Sequence, residues 1–130
     1  MFFGNIRDAA LLQRIELPHC YLGPLDADRV HSLYCHSRVV LSTSLYETLP
    51  GTLIEGQAAG CIPGTFGRGG QADIVSHGVT GYIADYQSPE SVAQYLAEAL
   101  TAPIDAATLR AYVADKFAPQ VIARRYLDIF

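Results

Sequence analysis

The spacing of apolar and polar residues changes several times along the chain, and each change predicts an element. Arg38-Val39-Val40-Leu41-Ser42-Thr43 is a short β-branched run, which predicts a buried strand. Leu53 to Gly60 mixes apolar and small residues and stops at a glycine, which predicts a short helix. Cys61-Ile62-Pro63-Gly64-Thr65-Phe66 is a second strand-like run. Gly64 at its centre marks a weak strand, since glycine packs nothing and often accompanies close backbone approach. Tyr82-Ile83-Ala84 is a third run between turn residues. Nearer the start, Met1-Phe2-Phe3-Gly4 and His19-Cys20-Tyr21-Leu22 each read as a strand, the second closed by Gly23-Pro24. The first of these opens abruptly, so we expect a strand cut at its start and a piece of a longer protein.

Between the strands the period lengthens. Ile6, Ala9, Ala10, Leu11 and Ile15 suit an amphipathic helix that Pro18 blocks. Asp26 can cap a helix running to about Cys35, with Val30, Leu33 and Tyr34 toward the sheet. Gln71 to Ser76 allows a turn or two of helix. Ser88 caps a helix with Pro89 at its first position and Val92, Leu96 and Leu100 on one face. Asp105 caps another that reaches Phe117. Pro119 begins the last, with Val121, Ile122, Tyr126 and Ile129 apolar and Arg124 and Arg125 solvated. Strands alternating with helices through short connections predict an α/β fold. It is a Rossmann-like, mostly parallel sheet with helices on both faces, in one domain of 130 residues.

Composition narrows the partners. Half the residues are hydrophobic and 17% are charged, enough apolar matter for a core. A net charge of −4 argues against nucleic acid or an anionic membrane surface, because either calls for a basic face. No apolar run approaches the ~20 residues of a membrane span, and none looks like a signal peptide. The three cysteines, Cys20, Cys35 and Cys61, are odd in number and form no C-x-x-C pair. They read as reduced thiols buried as small hydrophobes, which points to the cytoplasm. His19, His31, His36 and His77 are scattered, none at zinc spacing, so neither metal nor cofactor is expected.

The candidate chemistry lies in two strand-to-helix turns. Ser44-Leu45-Tyr46-Glu47-Thr48-Leu49-Pro50-Gly51-Thr52 joins the Val39 run to its helix, and Glu47 and Glu55 bracket it with seven residues between them. In open parallel sheets, ligands sit beyond the carboxyl ends of the strands. A helix start offers free N–H groups and partial positive charge, which suits phosphate. Carboxylates there accept hydrogen bonds from sugar hydroxyls, so phosphate and hydroxyls together suggest a nucleotide-sugar. A plainer reading stands beside it: Thr52-x-x-Glu55 is also a capping box, and Glu47 a solvated loop residue. Gly67-Arg68-Gly69-Gly70 forms the second turn, a second phosphate cradle with Arg68 as its cation, or simply a turn.

These residues resemble a known family. Val39-Val40-Leu41-Ser42-Thr43-Ser44-x-Tyr46-Glu47, continued by Pro50-Gly51-Thr52-Leu53-Ile54-Glu55-Gly56-Gln57-Ala58-Ala59-Gly60-Cys61-Ile62-Pro63, looks like the signature of retaining nucleotide-sugar glycosyltransferases of the group 1 type. Gly69-Gly70-Gln71-Ala72-Asp73-Ile74-Val75 and Tyr21-Leu22-Gly23 extend the likeness, which covers about Met1 to Phe130. The resemblance implies the C-terminal, donor-binding half of a GT-B enzyme, with two Rossmann-like domains facing a cleft. The half's first strand and basic loop would lie before Met1. The acceptor would be bound mainly by an absent N-terminal domain.

Carried onto this sequence, the resemblance implies that Glu55 holds the ribose and that Glu47 meets the donor sugar near the reacting carbon. The backbone of Thr48, Leu49, Pro50, Gly51 and Thr52 would lie along the sugar and diphosphate, and Arg68, Gly69 and Gly70 of the second turn are further donor-binding candidates. The turn at Gly23 would wall the base, and Asp73 would bring a shorter carboxylate than the usual glutamate toward the sugar. The donor would be UDP-, GDP- or ADP-linked. The full-length enzyme would transfer a hexose-type sugar with retention, in polysaccharide or glycoconjugate synthesis, in the cytoplasm or peripherally on a membrane. No second carboxylate fits a hydrolase-style nucleophile pair. The alternatives are a non-catalytic nucleotide-binding or interaction module of the same fold, and a sugar-nucleotide epimerase. Without its acceptor half the fragment is expected to be inactive, since both substrates must be held together.

Overall fold

A computed structural model describes residues 1–129. In chain order the elements are α1 (Ala10–Gln13), α2 (Ala27–Cys35), β1 (Val39–Ser42), α3 (Gly51–Ala59), β2 (Ile62–Phe66), α4 (Gln71–Ile74), β3 (Tyr82–Ala84), α5 (Pro89–Thr101), α6 (Ala106–Phe117) and α7 (Pro119–Leu127). The sheet is parallel, in the order β1-β2-β3, with Leu41 opposite Gly64 and Gly64 opposite Tyr82.

The helices begin where local chemistry starts them. Asp26 accepts from the Arg29 N–H at 2.9 Å, Ser88 from Ser91 at 3.1 Å and Asp105 from Thr108 at 2.8 Å. Each side chain satisfies an N–H that the helix itself leaves without a partner. The Thr108 N–H and hydroxyl hold the Asp105 carboxyl below its ordinary pKa. Gly60 ends α3 in the left-handed region at φ 104°, where a β-carbon is strained.

Side chains alternate across β1 and so bind two layers. Val39 packs with Ile62, Ala99 and Leu109 on one face, while Val40 packs with α2 and α3 residues on the other. Leu53, Ile62, Ile74 and Leu109 are fully buried. Each such burial is worth about 1.5–3 kcal/mol of transfer free energy. At Gly56 a β-carbon would come within 2.6 Å of Val40 Cγ1, so glycine lets α3 lie close against β1.

Several expectations are corrected. β2 is no weak strand: it is the central strand, and all five of its residues are buried. Gly64 serves close packing there, since a β-carbon would sit 3.3 Å from Leu41 Cδ1. Pro63 is tolerated because of its direction. The Ile62 N–H bonds to the Arg38 carbonyl on the β1 side, so the next position faces β3, whose pairing begins only at Gly64. The two early strands shrink to one bridge between Phe2 and Tyr21, and the helix expected over Ile6–Ile15 keeps a single turn. α3 starts at Gly51, two residues before Leu53. Cys20 and Cys35 are exposed; only Cys61 is buried. Tyr126 and Ile129 are exposed as well.

Candidate functional site

The two strand-to-helix turns meet at the carboxyl ends of β1 and β2. Glu47 and Gly69 form a parallel bridge, and the Gly70 N–H donates to the Glu47 carbonyl at 2.9 Å. The contact is backbone against backbone. A β-carbon on Gly70 would overlap the Thr48 carbonyl oxygen, and one on Gly69 would overlap the Glu47 carbonyl oxygen. Gly69 also takes φ +66°, a left-handed conformation. Two glycines are therefore required for the second loop to close on the first.

Gln71 completes this junction. Its side chain is fully buried, its Nε2 donates to the Ser44 carbonyl at 3.0 Å, and its Oε1 accepts from the Thr65 hydroxyl. Sequence reasoning passed over it as an ordinary helix residue. The one sign available was a polar amide in the first position after a glycine pair.

The first loop presents an open mouth. Glu47 is half-buried, whereas Thr48, Leu49, Gly51, Thr52 and Glu55 are exposed and Pro50 is buried. Pro50 occupies the N-cap position of α3 and supplies no side-chain cap. Thr52 lies inside the helix, so the capping-box reading fails. Among the described residues, the N–H groups of Leu49, Gly51 and Thr52 have no protein acceptor. Glu55 stands in the second turn of α3, not the first. Its long side chain nonetheless leans toward the helix start, with Oε1 3.6 Å from where a Gly51 β-carbon would be. Its charge also reaches α2: burial first, then the Glu55 and Cys61 charges, push the Tyr34 phenol above its ordinary pKa. Among the described residues that phenol oxygen is buried without a partner.

The remaining predicted residues sit less centrally. Arg68 is exposed and stacks over the Tyr86 ring at 4.5 Å, and Tyr86 in turn packs edge-on against Phe66. Asp73 is exposed in the first turn of α4. Gly23, at φ +72°, accepts from the Gly4 N–H at 2.9 Å and has no hydrogen bond to either loop. Among the described residues no cluster of three or more His, Cys, Asp or Glu could hold a metal ion, and no helix is long and apolar enough to cross a membrane.

Known proteins resemble this chain in sequence and in fold. A 2-deoxystreptamine N-acetyl-D-glucosaminyltransferase of Niallia circulans is 31% identical over 99 residues, covering 73% of this chain and 25% of that protein. The crystal structure of Anabaena Alr3699/HepE in complex with UDP-glucose superposes with a TM-score of 0.80 at 19% identity, over 92% of this chain and 35% of that one. Sucrose-phosphate synthase (tll1590) from Thermosynechococcus elongatus does so with a TM-score of 0.79 at 23% identity, over 92% and 32%. The chain thus spans between a quarter and about a third of the length of these proteins. Residues 5–116 match the family described as Glycosyl transferases group 1. That match takes in β1 to β3 with both strand-to-helix loops, and the chain belongs to the group 1 glycosyltransferases.

Proposed function

We propose that this chain is the donor-binding half of a retaining nucleotide-sugar glycosyltransferase. In this reading Glu55 holds the ribose hydroxyls and Glu47 faces the donor sugar. The observation that carries it is the junction of the two loops, which fixes the backbone at Glu47 and Thr48 just ahead of the α3 start, toward which the Glu55 carboxylate leans. The free N–H groups at Leu49, Gly51 and Thr52 face the position of the diphosphate. As the sugar–phosphate bond breaks, negative charge gathers on the leaving diphosphate. Preorganised donors stabilise that charge, and a single such donor is worth about 10²–10³ in rate. The Glu47 carboxylate stabilises the positive charge growing on the sugar ring. Gly69 and Gly70 shape the opposite wall, and Arg68 lends long-range positive charge. In the same reading the turn at Gly23, whose carbonyl accepts from the Gly4 N–H, walls the base.

Leu45, Tyr46 and Leu49 are 48%, 68% and 55% exposed beside the mouth. Apolar residues so placed support closure by a second, acceptor-binding domain of the full-length protein. The donor to test first is UDP-glucose, the ligand of the Anabaena structure. The sugar transferred is of the hexose type, and the product a polysaccharide or glycoconjugate made at the cytoplasmic side. Calorimetric titration with UDP-, GDP- and ADP-glucose tests this reading. One nucleotide-sugar should bind, and Glu55→Gln should weaken it. Binding of none, or equal affinity in the variant, would refute the assignment.

A further inference from the structure

We propose that Gln71 is a positioning residue, a buried latch that holds the Ser44–Gly51 loop in register so that Glu47 meets the sugar end of the donor. The inference rests on the donor-site reading above. Gln71 is fully buried, and its Nε2 and Oε1 are both engaged. Its partners come from different elements: the Thr65 hydroxyl from β2 and the Ser44 carbonyl from the chain leaving β1. The amide can point only one way. The Ser44 carbonyl is purely an acceptor and faces Nε2, and the Thr65 hydroxyl then gives its proton to Oε1. Next along the chain, the Gly70 N–H binds the Glu47 carbonyl. Hydrogen bonds three residues apart on the first loop, at Ser44 and Glu47, are thus both made by the Gly70–Gln71 step.

Neither leucine nor an ionised glutamate supplies this pair of bonds. Leucine would leave the Ser44 carbonyl and the Thr65 hydroxyl without their partner. Glutamate would set a carboxylate oxygen against the Ser44 carbonyl, acceptor facing acceptor. The latch acts on the Glu47 side of the mouth, while Glu55 is held by α3 itself. Losing the latch should therefore harm recognition of the sugar and spare recognition of the nucleotide.

The test uses Gln71→Leu, Thr65→Val and Thr65→Ser in the purified protein. Two quantities are read: amide hydrogen exchange at Gly70, and affinities for UDP and UDP-glucose, or for whichever nucleotide pair the unaltered protein selects. Gln71→Leu and Thr65→Val should speed Gly70 exchange and weaken the nucleotide-sugar about tenfold, the scale of one lost hydrogen bond. Nucleotide alone should change less than about twofold, and Thr65→Ser, which keeps the hydroxyl, should restore both readouts. Adding Gln71→Leu to Glu47→Gln should cost little more, because the two act on one contact. Should Gln71→Leu fail to fold, Thr65→Val carries the test alone. Sugar and nucleotide affinities falling together, or an unchanged Gly70 amide, would make Gln71 a packing residue and overturn the proposal. An unaltered protein that binds no nucleotide-sugar would instead overturn the donor-site reading, and Gly70 exchange would still decide the latch.

Discussion

The two loops at the sheet's carboxyl edge do opposite things with side chains. The loop after β1 offers them: Glu47 is half-buried and, one turn into α3, Glu55 is exposed. The loop after β2 withholds them: Gly69 and Gly70 leave room for the Glu47 and Thr48 carbonyls. A charged loop facing water holds no shape by itself. Here its shape is imposed from behind, by a second loop whose lack of β-carbons lets backbone meet backbone. The usual search for reactive side chains would find only the first of the two.

The contrast breaks most severely at Gly70. Gly70→Ala places a methyl on the Thr48 carbonyl, so the loops must part. We expect a loss of about 3 kcal/mol or more, an overpacking cost at the upper end of its class. The melting temperature should fall by roughly 10 °C or more in thermal circular dichroism. An unchanged melting curve would show that the loops need not touch.

Glu55→Gln sharpens the other half of the contrast. The side chain is exposed, so stability should barely move. Nucleotide-sugar affinity should fall roughly 10- to 100-fold, the scale of lost hydrogen bonds to a charged group. A shift in melting temperature without a shift in affinity would turn Glu55 into a structural residue.

Cys61 stands between α3 and β2, on the stretch that links the two loops. Its thiol is buried and lies 3.1 Å from the Tyr34 carbonyl, to which it donates. Burial first, then the nearby Cys35, pushes its pKa up from 9.0 to about 11. Between those values the unfolded chain gives up the proton while the folded chain keeps it. Stability from this group is therefore intact below pH 9 and declines as pH rises toward 11. Urea unfolding across that window should show the decline, and Cys61→Ala should flatten it. Near pH 8, Cys20 and Cys35 should react with iodoacetamide well before Cys61.

The smallest effect is expected at Arg68. It is exposed and stacked on Tyr86, so Arg68→Ala should cost below about 1 kcal/mol of stability. Donor affinity should change by about twofold, as for a screened surface charge. A loss of a hundredfold would mean that the second loop also works through a side chain, and the contrast would dissolve.

How much of this was legible beforehand follows from the range of each interaction. The caps at Asp26, Ser88 and Asp105 reach three residues along the chain, and all three helices begin where those residues predict. The stop at Gly60, the three strands of the sheet and the glutamate-bracketed loop were equally readable. The start of α3 carries no such sign, because Pro50 offers no side-chain cap to announce it. The strands at Phe2 and Tyr21 were over-read, since an extended run becomes a strand only when a neighbour pairs along its length.

Local sequence dictates the α/β alternation, the helix starts that carry capping side chains, and the residue types available in the loop after β1. Each depends on φ/ψ preference or on a hydrogen bond within one turn of chain. Tertiary structure alone decided that Gly64 and Pro63 would stand in the central strand, that Gly69 and Gly70 would press on Glu47 and Thr48, and that Gln71 would lock Ser44 to Thr65. Gln71 lies six residues from one partner and 27 from the other. A buried amide with its partners that far apart leaves no periodic trace, because only folding brings the three together.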